Sequence, residues 1–245
     1  RPHLLSNGQY TVMVTNCGGG FSTCRGLAVT RWRNDPARDH VGTAIYVRDA
    51  GTGRAWSAGH LPLAAPADFY EVVYSADKAE FRRRDGTVET LTEVCVAPDQ
   101  DVEVRRVTLI NHDTRPRTLE VTSYAEVVLL DPRADLAHPA FGKLFVETEW
   151  LPQWHALLAR RRPRSPGQKP VYAVHVVAAD AAHGGPVQFD TDRAAFVGRR
   201  RGLDNPDGLA KPLTGSVGPV LDPAFVLRRA VTLAPGTSAT LAFAT

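Results

Sequence analysis

Along most of the chain, apolar and polar residues alternate with a period of two. "YTVMVTN" from Tyr10, "LAVTRWR" from Leu27, "TAIYVRD" from Thr43 and "YEVVYS" from Tyr70 are short runs rich in β-branched and aromatic residues, and they predict strands. "AEFRRRDGTVETLTEVCVAP" from Ala79 carries Asp85-Gly86 near its middle, a dipeptide that favours a tight hairpin turn. Strand alternation returns in "DVEVRRVTLINHD", "RTLEVTSYAEVVLL", "KLFVETEW", "VYAVHVVAAD" and "PVQFDTDRAAFVG". "AFVLRRAVTLAPGTSATLAFAT" reads as two strands around Ala234-Pro235-Gly236, where proline fixes φ and glycine supplies the permissive corner. Helical periodicity is weak. "WHALLARR" from Trp154 is about two turns long and fits a strand equally well.

Many short strands with Gly, Pro and Asp between them argue for an antiparallel sandwich rather than alternating βαβ units. The expected class is all-β, a single large β-sandwich over residues 1–245, with the Pro- and Gly-rich span 203–219 as a long internal loop. A chain of 245 residues that is 43% hydrophobic has enough apolar material for one such core. No apolar run approaches the roughly 18 residues of a membrane span. "RPHLLSNGQY" lacks the apolar stretch of a signal peptide, so the reading is a processed export signal or a piece internal to a longer chain.

A net charge of +3 is small, and most arginines alternate with acids as on solvated strand faces. The basic run "RRRPRSPGQKP" from Arg160 is broken by prolines and reads as a surface loop, so no nucleic-acid partner is expected. Three cysteines form no disulfide framework, and the six residues between Cys17 and Cys24 exceed the usual zinc-knuckle spacing. No metal is expected.

The candidate chemistry begins with "NCGGGFSTCRGLAVTRWR" from Asn16. A phosphate loop would need a helix after the glycines, but a strand follows, which leaves Gly18, Gly19 and Gly20 as a bend where a backbone or ligand approaches closely. Glu147 and Glu149 lie two apart on a strand, roughly 7 Å by strand rise, a separation suited to an inverting glycosidase but also common on a solvated face. There is no GxSxG elbow, and neither Ser22 nor Ser123 has an evident histidine partner. Tyr124 and Glu126 share a strand face that suits a sugar platform or an ordinary sheet surface. "DLAHPAFGKLF" from Asp135 brings His138, Phe141 and Lys143 into one turn-rich segment, a donor, an aromatic face and a cation for a hydroxylated ligand.

Taken in order, these stretches resemble the N-terminal β-sandwich of the glycoside phosphorylases formerly called glycosyltransferase family 36. The resemblance is greatest to the corresponding module of cyclic β-1,2-glucan synthases. It runs through "HLLSNGQYTVMVTNCGGGFSTCRGLAVTRWRNDPARDHVGTAIYVRD", "YEVVYSADKAEFRRRDG", "VEVRRVTLINHDTRPRTLEVTSYAEVVL", "AHPAFGKLFVETEW", "ALLARRRPRSP", "TDRAAFVGR" and "VLDPAFVLRRAVTLAPG". The resemblance implies a galactose-mutarotase-like β-supersandwich, followed in the family by a helical linker and an (α/α)6 barrel that carries the catalytic acid. No position here inherits that role.

By the same resemblance, Gly18, Gly19, Gly20, Phe21, Ser22, Arg31 and Arg33 lie near a domain contact facing the substrate cleft, with Cys17 and Cys24 incidental. Ala140-Phe141-Gly142-Lys143 matches an acceptor-binding Asn-Phe-Gln-Arg stretch, keeping the aromatic ring and the charge but losing the amide. The implied partners are a β-linked glucan or oligosaccharide, the barrel of the same parent chain and a second copy in a homodimer. The chain itself needs no cofactor, whereas the parent uses inorganic phosphate if it is a phosphorylase. The implied location is the bacterial cytoplasm or the cytoplasmic side of the inner membrane. Two rival readings are an autonomous carbohydrate-binding protein and a stand-alone glycosidase using Glu147 and Glu149. A docked module should expose an apolar, Arg-rimmed patch; Phe21 and Phe141 fit that patch and the sandwich core equally, and Trp32 is expected in the core.

Overall fold

The computed structural model describes residues 1–32, 42–180 and 185–245, so Arg33 lies outside the described residues. The first strands are β1 (Pro2–Ser6), β2 (Tyr10–Thr15), β3 (Gly20–Cys24), β4 (Leu27–Thr30), β5 (Thr43–Asp49) and β6 (Ala55–Ser57). A meander follows: β7 (Phe69–Tyr74), β8 (Lys78–Asp85), β9 (Val88–Val96) and β10 (Glu103–Asn111). Next come the long β11 (Arg117–Leu130), two short helices α1 (Pro132–Ala137) and α2 (Pro139–Lys143), then β12 (Val146–Leu151), β13 (Ala156–Arg161) and β14 (Val171–Ala179). The chain continues through β15 (Val187–Asp192), α3 (Arg193–Val197), β16 (Pro223–Leu233) and β17 (Ser238–Ala244).

Among the described residues these strands form two antiparallel sheets. The eight-stranded sheet runs β12-β13-β14-β17-β10-β9-β8-β7. The nine-stranded sheet runs β1-β2-β3-β4-β11-β16-β15, with β5 also paired to β11 and β6 paired to β5. One edge of β11 changes partner part-way: residues 119–125 pair with β5, then Val127 and Leu130 pair with β4 across a register shift. Leu129 takes a left-handed φ of 54° at that shift, where an extra residue re-aims the strand. The Asp85-Gly86 signal forms the β8–β9 hairpin, with Asp85 opposite Val88 and Gly86 at φ 62°.

Period-two alternation decides what lies between the sheets. From β8, Ala79, Phe81, Arg83 and Asp85 are buried while the side chains between them are more exposed. Val12, Val47, Trp56, Phe81, Val107, Leu119, Leu227 and Phe243 belong to the core, each contributing roughly 1.5–3 kcal/mol by burial. Inside it Arg83 forms a two-pronged ion pair with Asp85 at 2.7 and 3.0 Å. The same guanidinium donates to the Gly59 and Ala65 carbonyls, which ties the 57–65 segment down.

A second apolar cluster lies on the other face of the nine-stranded sheet. Tyr46, Tyr124 and Val226 are covered there by Phe196 and Val197 of α3 and by Leu209. "DRAAFVG", expected as strand, is therefore a helix. Asp192 caps it by accepting from the Ala194 amide, and Gly198 ends it at φ 86°. The 203–219 span contains a 3₁₀ turn at Asp207–Leu209 that packs onto the sheet, held by Arg228 donating to the Gly208 and Lys211 carbonyls. "WHALLARR" resolves into a 3₁₀ turn ending at Trp154, a left-handed His155 and then β13. "DLAHPAFGK" holds the end of α1 and all of α2; each helix has a proline in its first turn, Pro132 and Pro139, and Asp131 caps α1.

Candidate functional site

The glycine run makes its close approach to this chain's own backbone. Gly18, at φ 92°, has no room for a side chain, since a Cβ there would stand 2.9 Å from the Gly59 Cα. The Cys17 carbonyl accepts from the Leu61 amide at 2.8 Å, and the Gly19 carbonyl accepts from the Thr15 amide. Gly20 lies in β3 with a Cβ position 2.0 Å from the Met13 carbonyl oxygen. Ser22 is fully buried, donating to Glu103 at 2.5 Å. Phe21 is half-buried and tilts against Trp32 with ring centres 5.9 Å apart. Trp32, expected in the core, is also half-buried because it lies past the end of β4, where the sandwich no longer encloses it.

Arg31 begins a denser site. Its Nε and Nη2 clasp both oxygens of Asp135 from α1 at 3.0 and 2.8 Å, and its Nη1 donates to Glu126 of β11 at 3.0 Å. Glu126 also accepts from Arg193 at 2.8 Å and from the Tyr124 hydroxyl at 3.1 Å. Asp222, just before β16, takes Lys143 of α2 at 2.5 Å and lies 3.6 Å from Arg193. Three carboxylates and three cations thus interlock where β4, β11, α1, α2, α3 and the approach to β16 converge. Burial pushes the Glu126 carboxyl up, but Arg193 and Arg31 outweigh it and hold the group below the usual carboxylate range. Burial pushes the Tyr124 hydroxyl well up, and the Glu126 charge adds to that.

Two sequence candidates, Arg31 and Lys143, meet here through Asp222, and Tyr124 and Glu126 prove to be internal members of the network. Asp135, Arg193 and Asp222 carry no local signal, since each acts through a partner distant in sequence. The network can position α1 and α2 rigidly. An ionised Glu126 whose oxygens are already taken has no proton to donate at neutral pH.

His138 and Phe141 lie on the exposed side of the same segment. His138 is the hinge residue between the helices, its amide donating to Ala134 and its carbonyl accepting from Gly142. Phe141 packs edge-on against Phe145 at 5.2 Å, and Arg164 lies over both rings. Leu136, Phe141 and Leu144 are 79%, 48% and 51% exposed along this segment, with Arg164 over the Phe141 ring and Arg162 donating to the Leu144 carbonyl.

The whole chain, residues 1–245, matches the family model described as the supersandwich domain of glycosyl hydrolase 94. The chain belongs to this family. The supersandwich is 40% identical over 242 residues to the cyclic beta-(1,2)-glucan synthase NdvB of Rhizobium meliloti (strain 1021), covering 98% of this chain and 8% of that protein. It is 25% identical over 197 residues to solabiose phosphorylase of Paenibacillus borealis, covering 80% of this chain and 24% of that one. A polysaccharide lyase of known structure superposes with a TM-score of 0.56 at 14% identity, over 96% of this chain and 32% of the lyase, which supports the fold alone. The chain thus spans a quarter or less of the curated relatives named here.

The supersandwich places the remaining candidates on either side of its sheets. Glu147 pairs with Arg162 at 3.2 Å, and Glu149, two residues on, is exposed opposite Leu158. Both belong to the outward face of edge strand β12. Ser123 does have a histidine neighbour, Nε2 of His175 at 3.0 Å, with Thr245 on Nδ1 at 2.9 Å. Both Ser123 and His175 are buried between the sheets, and the imidazole stacks on Phe225 and Phe243. Burial, with Arg105 nearby, depresses the imidazole pKa to about 3. A neutral, enclosed histidine oriented by a threonine ties the two sheets together.

Proposed function

We propose that this supersandwich is a non-catalytic module of a β-glucan-processing enzyme, a cyclic β-1,2-glucan synthase or a glycoside phosphorylase. It supports a catalytic (α/α)6 barrel and lines part of the carbohydrate cleft. The observation that carries this reading is the exposure of the apolar side chains Leu136, Phe141 and Leu144, with arginines beside Phe141 and Leu144, on a segment that the ionic network holds in place. An apolar patch held this rigidly is what a docking face requires. The 40% identity to a glucan synthase of which this chain spans only 8% supports the same view.

The testing experiment is calorimetric titration of this chain with β-1,2-gluco-oligosaccharides, with cellobiose and chitobiose as controls, alongside an assay for sugar release. The reading predicts neither saturable binding nor turnover by the chain alone. Saturable binding that weakens in Phe141→Ala and Lys143→Ala would overturn it and make the supersandwich a carbohydrate-binding protein in its own right.

A further inference from the structure

Arg161 ends β13 with its side chain on the core-facing side, and the residue is only 3% exposed. Its Nη1 donates to the Gly142 carbonyl at 2.8 Å. Among the described residues, its Nε and Nη2 are buried without a hydrogen-bond partner. Two other buried guanidinium groups are paired with a carboxylate, Arg83 clasping Asp85 and Arg31 clasping Asp135, while Arg105 and Arg229 each leave one nitrogen unpaired and Arg161 leaves two. Asp135 also acts on Arg161 electrostatically, yet both of its oxygens are bonded to Arg31. Burying a cation with two unpaired donors is costly unless something completes the site.

The unpaired edge is specific in shape. Nε and Nη2 are the side fork of a guanidinium, which receives two oxygens of one carboxylate or phosphate at once. A second cation stands nearby. Arg164 lies 4.9 Å from the Phe141 ring centre and 5.3 Å from that of Phe145, and Arg161 lies 5.5 Å from the Phe145 centre. Burial and the Arg164 charge both weaken the protonated form of Arg161. Two guanidinium groups gathered on one aromatic pair repel each other, and an anion shared by them would reverse that.

We propose that Arg161 and Arg164 form a binding site for an oxyanion, a phosphate or a carboxylate, walled by Phe141 and Phe145. Arg161 supplies the two-pronged contact from inside, and Arg164, an exposed side chain, folds onto the anion from outside. The anion arrives either as a free phosphate or as a carboxylate from a neighbouring polypeptide. The site does not depend on the docking role proposed above, since it is tested on this chain alone.

The test is thermal unfolding and calorimetric titration of this chain with inorganic phosphate and with acetate, at ionic strength matched by sodium chloride. Phosphate at ten times its Kd should raise the unfolding midpoint by about 3–6 °C in a domain of this size. Acetate should give a comparable rise if a carboxylate is the natural occupant and little if phosphate is. Arg161→Met and Arg164→Met should each weaken the binding about 10-fold or more, the loss expected for a charge-assisted fork. Arg200→Met, at an exposed position outside the 141–164 segment, should leave it unchanged. Without anion, Arg161→Met should stay folded with an equal or higher midpoint, because it removes an unpaired buried charge. Absence of protection by either anion, or equal protection in Arg161→Met, would overturn the assignment.

Discussion

His175 makes the stability of the domain depend on pH below 6.5. Its imidazole is enclosed between Phe225 and Phe243 and hydrogen-bonded to Ser123 and Thr245. The pKa falls from 6.5 to about 3 on folding, first because burial disfavours the cation and then because Arg105 is near. The folded state therefore resists a proton that the unfolded chain takes up readily. Stability from this group is complete above the unfolded value and declines as pH falls from 6.5 toward 3. At pH 5 the loss is about 2 kcal/mol, and near pH 3 it approaches about 4–5 kcal/mol. Urea unfolding at pH 7.5 and pH 5 should show the first of these losses in the natural protein. His175→Gln should unfold more easily at pH 7.5, having lost the ring stack, but should be nearly flat between the two pH values. Carboxylates with depressed values, such as Glu126, lose their contribution mainly at lower pH and act equally in both proteins. An equal slope in the variant would refute the assignment to His175.

Asp85→Ala should cost about 3–5 kcal/mol in urea unfolding, because it strands the fully buried Arg83 charge without its carboxylate partner. Arg83→Met combined with Asp85→Leu should recover much of that loss. Gly20→Ala should fail to give folded, soluble protein, since its Cβ would fall 2.0 Å from a backbone oxygen that neighbouring β2 cannot move. Circular dichroism of the soluble fraction checks the outcome.

The sandwich was legible because its strands alternate, and alternation needs only local sequence. Tyr10–Thr15, Lys78–Asp85 and Glu103–Asn111 appear within two residues of where the pattern puts them. "DRAAFVG" reads as strand only because its four consecutive apolar residues, Ala194 to Val197, carry neither period, and a short apolar run does not separate strand from helix. What decides for helix is the Asp192 cap and the left-handed Gly198, both set by the turn onto the sheet. The candidate site was half legible. Lys143 and Phe141 share a turn-rich segment that stands out between strands, and Arg31 ends a clear one. Their acidic partners did not stand out, because Asp135 is 104 residues from the Arg31 it clasps. Glu126 looked like any acid on a strand face. An ion pair closed through tertiary contact leaves no spacing in the sequence to read.

The arrangement of charge also bears on where chemistry can occur. Glycoside cleavage calls for a carboxyl group that holds its proton near neutral pH beside a bond to be broken. Glu126, largely enclosed in the network, is driven the other way by Arg193 and Arg31. Asp135 and Asp222 are each bound to a cation. Glu147 is neutralised at the surface by Arg162, and Glu149 is exposed on the same edge strand. These ion pairs instead hold α1 and α2 against the end of the nine-stranded sheet, and that fixes Phe141 and Leu144 in an exposed position. A surface that meets a ligand or a partner gains from being held beforehand, because ordering its side chains on contact costs about 0.5–1.5 kcal/mol each. The network removes much of that cost before any partner arrives.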